Sequence, residues 1–254
     1  MINILLSGCN GKMGQVITRL SDNFPELKIA AGFDINNNIN NPYPVFTSLT
    51  DCNVDVDVII DFSNPKAFTP LVEYAQEKHL PLVLATTGLA AEQINTLKTT
   101  VAGRIPVFFS ANMSLGVNLL IDLVKKAAKV LEDQFDIEIV EKHHNQKIDA
   151  PSGTALAIAD AINDSLDDKY EYMYDRHSRR KKRSKQEIGI HAVRGGTIVG
   201  DHSVIFAGND EIIEINHTAL SKEIFAVGAL KASVFIASKK PGLYSMSELI
   251  SETN

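Results

Sequence analysis

The chain has 254 residues, with 25 Lys and Arg against 31 Asp and Glu for a formal net charge of −6. Its 44% hydrophobic and 22% charged content is that of an ordinary globular protein of one or two domains, large enough to bury a full core and too apolar to be disordered. Net acidity argues against bulk binding to nucleic acid or a membrane surface. Cys9 and Cys52 make no disulfide framework. Neither a basic signal-peptide start nor an apolar run of about 18 residues occurs. A soluble, cytoplasmic protein is expected.

In chain order, strands are predicted over 2–6, 28–33, 56–62, 80–85 and 105–109, from short runs rich in Ile, Val and Leu. Between them lie helix-length segments at 12–21, 65–77 and 91–100, the second opened by the capping signal Ser63-Asn64-Pro65. Strands separated in this way imply parallel βαβ units, and so a Rossmann-type doubly wound α/β domain. From Asn112 the pattern changes: a helix over 116–131, a strand over 135–142, a helix over 152–166, a charged loop, then strands over 187–193, 198–206 and 211–217. Successive strands suggest an antiparallel or mixed sheet with helices on one face, an α+β domain. The final helix, 223–237, is apolar enough to return to the first domain. The reading is a dinucleotide-binding domain at 1–112 plus 223–254, with a second domain, 113–222, inserted.

Gly8-Cys9-Asn10-Gly11-Lys12-Met13-Gly14 follows the first strand and opens the first helix. Glycines there allow a tight turn and close approach to a pyrophosphate, whose charge meets helix N-terminal amides. Asp34 ends the second strand about 20 residues after Gly14, where a carboxylate accepts from an adenosine ribose. That order makes a dinucleotide site the favoured reading over a bare Gly-rich turn. The segment Ile35-Asn36-Asn37-Asn38 carries no cation to offset a 2′-phosphate, so NADH is the expected cofactor, with some NADPH use through Lys12.

The second motif runs from Glu141 to Ala155, Glu-Lys-His-His-Asn-Gln-Lys-Ile-Asp-Ala-Pro-Ser-Gly-Thr-Ala. Singly, His143 and His144 could be surface residues, Lys147 a solvated cation, and Ser152-Gly153-Thr154 a plain helix cap. With no Cys or HxxxH partner nearby, no metal is expected. Together, an imidazole, an ammonium and helix N-terminal amides make an anion site beside a proton donor.

The run 138–155 resembles the signature of the 4-hydroxy-tetrahydrodipicolinate (dihydrodipicolinate) reductase family. Similar stretches follow in order: the loop at 8–14, Ala85-Thr86-Thr87-Gly88, Ser110-Ala111-Asn112-Met113-Ser114, the segment 189–196 and Gly200-Asp201-His202. The resemblance covers nearly the whole chain. It implies NAD(P)H-dependent reduction of a cyclic imine-type dicarboxylate to tetrahydrodipicolinate, a step of bacterial lysine and diaminopimelate biosynthesis. It assigns proton transfer to His143 and Lys147, and substrate binding to His144, Gly153 and Thr154. Cofactor contacts fall on Gly8, Cys9, Asn10, Gly11, Lys12, Met13, Asp34, Ala85, Thr86, Thr87, Ser110, Ala111, Asn112 and Met113. It also implies a homotetramer built through the second domain's sheet, and hinges near 112–114 and 221–223. Ala85 stands where the family usually has Gly, and Ser221-Lys222 replaces a frequent Ser-Arg. Three other readings are weaker: another two-domain dehydrogenase, which would lack the Asp149-to-Ala155 element; a redox sensor using Cys9; and a nucleic-acid binder using the basic run 176–185. That run holds seven of the 25 Lys and Arg but has no interleaved aromatics, as expected of a solvated loop.

Overall fold

In the computed structural model, which describes residues 1–132 and 134–252, the apolar runs of the first half form short strands in alternation with helices. In chain order these are β1 (Ile2–Ser7), α1 (Lys12–Ser21), β2 (Leu27–Phe33), β3 (Val45–Phe46), β4 (Val58–Asp61), α2 (Phe68–Glu77), β5 (Leu82–Leu84), α3 (Ala91–Thr96) and β6 (Pro106–Phe109). Then come α4 (Leu115–Leu131), β7 (Asp136–His143), α5 (Gly153–Ser165), β8 (Glu171–Met173), β9 (Glu187–Arg194), β10 (Gly200–Ala207) and β11 (Ile212–Ala219), followed by α6 (Glu223–Ile236), β12 (Gly242–Tyr244) and α7 (Met246–Glu252). The capping signal before α2 is realised: Asn64 Oδ1 accepts from Lys66 N at 3.0 Å. It opens a 3₁₀ turn, Pro65–Ala67, rather than the α-helix itself. The predicted helix 91–100 also changes character, passing into a π-turn at Leu97–Val101.

The chain divides into two compact units, one of residues up to Leu115 with those from Glu223 on, the other Gly116–Lys222. In the first, a seven-stranded sheet has the order β12-β6-β5-β4-β1-β2-β3, and every pair in it is parallel. Parallel strands need crossovers, so helices cover both faces and the strands are mostly apolar. Side chains alternate between two cores. Ile4, Leu6, Val58, Ile60, Val83 and Phe108 pack with Ile17 of α1 and Ala226, Ala229 and Leu230 of α6. Leu5, Ile59, Leu82, Leu84 and Val107 face the other way, onto Phe68, Leu71 and Val72. The order 3-2-1-4-5-6 within this sheet is that of the dinucleotide-binding fold, whose ligands lie beyond the carboxyl ends where β1 and β4 diverge.

The second unit carries a mixed five-stranded sheet, β11-β10-β7-β9-β8. Strand β10 pairs antiparallel with β11 and β7, whereas β9 runs parallel to β7 and β8. Its core is one-sided: Ile137, Ile139, Ile188, Ile190, Val204 and Phe206 meet Leu120 and Val124 of α4 and Ile158 and Ile162 of α5. The alternate residues Glu138, Val140, Lys142, Ser203 and Ile205 lie on the opposite face and are only partly covered. The basic run 176–185 is exposed at every residue but Arg183, as expected of a solvated loop, yet Arg176 and Arg183 reach back to the sheet. Arg183 bridges Asp136 and Glu138, and Arg176 bridges Glu138 and Glu187. These guanidinium groups tie the loop to the sheet. Among the described residues no helix is long and apolar enough to cross a membrane.

Candidate active site

The sequence-predicted residues fall into two groups, one in each unit. In the first unit Gly8 to Met13 follow β1, Asp34 follows β2, Ala85 to Thr87 follow β5 and Ser110 to Met113 follow β6. Because the strands are parallel, all four segments emerge at the carboxyl edge of one sheet. Gly8 has φ +77°, and a Cβ there would lie 2.7 Å from Phe62 O. Only glycine fits such a turn. A Cβ on Gly14 would overlap Gly8 O, so the turn packs directly on α1. Asn10 N donates to Asp34 Oδ2 at 3.0 Å and Asn36 N to Asp34 Oδ1 at 2.9 Å, which fixes that carboxylate at the end of β2.

These residues fit a dinucleotide. The turn is closed to side chains, a helix N-terminus stands behind it, and a carboxylate is anchored where a ribose would be read. Cys9 differs from its neighbours: its side chain is 0% exposed, and burial, with the Asp34 charge, pushes the thiol up to about 12. Its cofactor contact would be through the backbone, and a redox-sensing thiol is not what this environment makes. Thr86 is held from below by Asp61, whose Oδ2 accepts from Thr86 Oγ1 at 2.5 Å and whose Oδ1 accepts from Ser63 Oγ at 2.6 Å. Burial raises the Asp61 carboxyl despite these bonds. Ser110 Oγ donates to Asn112 O at 3.0 Å, and Asn112 Oδ1 accepts from Ser114 N at 2.8 Å. Met113 is buried in the core with Ala226, Ala229 and Met246.

In the second unit the chain leaves β7 at His143 and enters α5 at Gly153. Gly195 N donates to His143 O at 2.9 Å and Asn145 N to Gly196 O at 3.2 Å, pinning the loop to the turn after β9. Ser152 caps α5, its Oγ accepting from Ala155 N at 3.1 Å. Gly153 opens onto space, since a Cβ there would meet nothing within 4 Å. Lys147 Nζ lies 2.8 Å from Asp149 Oδ1. An ammonium and the open start of a helix thus lie on one short stretch of chain. His143 is 8% exposed, with Nδ1 2.6 Å from Glu141 Oε2. Its ring meets His202 edge to face at 5.3 Å. His144 is partly exposed, beyond the strand end.

Two family models cover the chain: that described as dihydrodipicolinate reductase, N-terminus, matches residues 2–113, and that described as dihydrodipicolinate reductase, C-terminus, matches 116–250. The chain belongs to the dihydrodipicolinate reductase family. It is 53% identical over 246 residues to the 4-hydroxy-tetrahydrodipicolinate reductase of Clostridium tetani, covering 97% of this chain and 96% of that one. It is 54% identical over 250 residues to that of Caldanaerobacter subterraneus, with 98% of each covered. Among solved structures, a dipicolinate-bound dihydrodipicolinate reductase from Paenisporosarcina sp. TG-14 is similar in fold, with TM-score 0.82 and 24% identity over 96% of this chain and 97% of that one.

Membership in the dihydrodipicolinate reductase family makes the protein an oxidoreductase of lysine and diaminopimelate biosynthesis that uses a nicotinamide cofactor to reduce 4-hydroxy-tetrahydrodipicolinate. Several residues that shape both groups have no site role in the sequence reading: Asp61, Glu141, Ser152, Arg194 and His202. For Glu141 a signal existed, since it precedes His143 by two along a strand and so shares its face. For Asp61 and Arg194 the relevant neighbours come from other strands.

Proposed function

We propose that this dihydrodipicolinate reductase relative binds its dinucleotide through Gly8 to Met13, Asp34, Ala85 to Thr87 and Ser110 to Met113. We further propose that it binds a small dicarboxylate through His144, Lys147, Gly153 and Thr154. The Lys147 ammonium, 2.8 Å from the Asp149 carboxylate and close in sequence to the open start of α5 at Gly153, carries the reading, because that cation and a helix N-terminus would hold a substrate carboxylate. The fold relative solved with dipicolinate bound, itself a dicarboxylate, supports this substrate class.

When bound, the reduced nicotinamide supplies the hydride that reduces the substrate's C=N unit. The protein's own groups meet the rest of the demand. Lys147 offsets the substrate's negative charge, and the start of α5 adds backbone donors and a favourable dipole. His143 Nε2 is the atom left to exchange a proton, since Nδ1 is committed to Glu141. Lys147 is the second candidate donor. The anchored Asp34 carboxylate would repel a 2′-phosphate, which supports a preference for NADH. A homotetramer through the sheet of the second unit and a cytoplasmic location complete the proposal. The sheet face away from α4 and α5 carries Val140 and Ile205 among its polar residues, and exposed Ile212 lies on β11.

The test is one assay. Purified protein is mixed with freshly generated 4-hydroxy-tetrahydrodipicolinate, and loss of absorbance is followed with NADH and with NADPH. Consumption of cofactor that depends on substrate, with kcat/KM higher for NADH, is expected. No substrate-dependent consumption of either would reject the substrate reading, and a kcat/KM at least tenfold higher for NADPH would reject the cofactor preference. Loss of kcat in Lys147→Ala places that residue in proton transfer, whereas loss through KM alone leaves it as a binding cation.

A further inference from the structure

Glu141 is 0% exposed, and a carboxylate removed from water is stable only if its lone pairs are taken up by donors. Every one of its acceptor positions has such a donor. Oε1 accepts from Arg194 Nη2 at 2.7 Å and from Ser152 N at 3.0 Å. Oε2 accepts from Arg194 Nη1 at 2.7 Å and lies 2.6 Å from His143 Nδ1. A carboxylate offers about four such positions, so none is left over. The Arg194 and Ser152 groups can only donate. Burial alone would push the Glu141 carboxyl up; the hydrogen bonds from Arg194, His143 and Ser152 outweigh it and hold the group below its ordinary range. It is therefore ionised and has no proton to give to the imidazole.

We propose that Glu141, clamped by Arg194, is a positioning residue for the reaction: it fixes His143 in the tautomer that carries its proton on Nδ1 and leaves Nε2 as the proton-exchanging atom. The inference rests on the reading of His143 as the proton-handling group. Three further features agree with it. Arg194 also donates to Val193 O and Asp149 O, at 2.8 and 2.6 Å, which orients its guanidinium toward Glu141. Gly200 leaves room for the ring, since a Cβ there would stand 3.1 Å from His143 Nε2. His202, edge-on to that ring, is lowered to about 4 by burial and by the neighbouring His143, so it adds no second cation at neutral pH.

The carboxylate also joins two parts of the site. Ser152 gives its N–H to Glu141 while its Oγ caps α5 and lies 3.0 Å from His202 Nε2. The proton-exchanging ring and the start of the anion-binding helix are thus referenced to one group. Such fixing of orientation and tautomer is how a buried carboxylate supports a catalytic histidine elsewhere.

Two measurements test the proposal. Glu141→Gln keeps the shape but has fewer acceptor positions, and its amide nitrogen opposes a donor. Its kcat is expected to fall by roughly a hundredfold or more while KM changes less than about threefold, because general acid–base assistance contributes on that scale. A kcat within about threefold of wild type, or a loss confined to KM, would overturn it. The second measurement is made on the wild-type protein: ¹⁵N spectra of histidine-labelled protein, with His143→Asn used only to assign the His143 signals by difference. The neutral ring should show a protonated Nδ1 and a bare Nε2. A ring protonated on Nε2 would overturn the proposal whether or not Glu141→Gln folds. If the wild-type protein failed to reduce the substrate, the functional reading would fall while the tautomer result stood by itself.

Discussion

Lys147 Nζ and Asp149 Oδ1 stand 2.8 Å apart, two residues apart in a loop. The Lys147 hydrogen bond is the main reason the Asp149 carboxyl sits below its ordinary range. Asp149 therefore occupies the ammonium that a substrate carboxylate would need. Its removal as a charge should help a dianionic substrate bind. Asp149→Asn is expected to lower KM by up to about fivefold, the scale of one solvent-screened ion pair, with kcat little changed. A raised KM would show instead that Asp149 holds Lys147 in place.

Asp34 invites a corresponding experiment on the cofactor. Its carboxylate is anchored by Asn10 N and Asn36 N, and no cation follows it in the next residues of the loop. Asp34→Asn keeps an acceptor for these amides while removing the charge. The ratio of kcat/KM for NADH over NADPH should fall by about tenfold, corresponding to roughly 1.4 kcal/mol of relieved repulsion. An unchanged ratio would locate the discrimination elsewhere.

What could be read from the sequence, and what could not, follows from how far each signal reaches along the chain. The helix Lys12–Ser21 and the strands that feed the Rossmann-type sheet are announced by local periodicity. The strands left out are β3, β8 and β12. Each is two or three residues long and each lies at the edge of its sheet, where pairing with one neighbour decides the matter. Helix α7 is absent from the sequence reading as well, although Ser245-Met246-Ser247-Glu248 is a capping signal, with Glu248 Oε2 accepting from Ser245 N at 2.8 Å. In the site, His143, Lys147 and Gly153 are close in sequence and legible as a group. Arg194 and His202 reach it only through register, opposite His143 on β9 and opposite Glu141 on β10, and no single-chain pattern announces that pairing.

The basic run supplies a prediction about stability. Glu138 Oε1 accepts from Arg176 Nη2 at 2.9 Å and Arg183 Nε at 3.0 Å, while Oε2 lies 2.8 Å from His191 Nε2. Burial raises this carboxyl, but the bonds from His191 and Arg183 and the Arg176 charge prevail and lower it. A carboxyl lowered in the folded state stabilises above its unfolded value and loses that contribution as pH falls through its folded value. Glu138→Gln should therefore cost about 2 kcal/mol near neutral pH, and the gap to wild type should close in acid, below about pH 4. Denaturant melts at both pH values would show this; a gap that persists in acid would mean that shape rather than charge holds the loop.

His202 should make stability fall in a higher pH range than the carboxylates do. Burial and the adjacent His143 lower it to about 4, and His217 acts in the same direction, while Glu141 and Asp201 oppose them. The unfolded chain takes up this proton below about 6.5, whereas the folded protein does so only near 4. Between those values the unfolded state binds more protons, so stability is complete above about 6.5 and declines by up to about 3 kcal/mol as pH falls toward 4. His202→Asn removes the titrating ring. Its unfolding free energy should change less between pH 7 and pH 5 than that of wild type. Parallel pH dependence in the two proteins would mean that His202 takes up its proton in the folded state as readily as in the unfolded one.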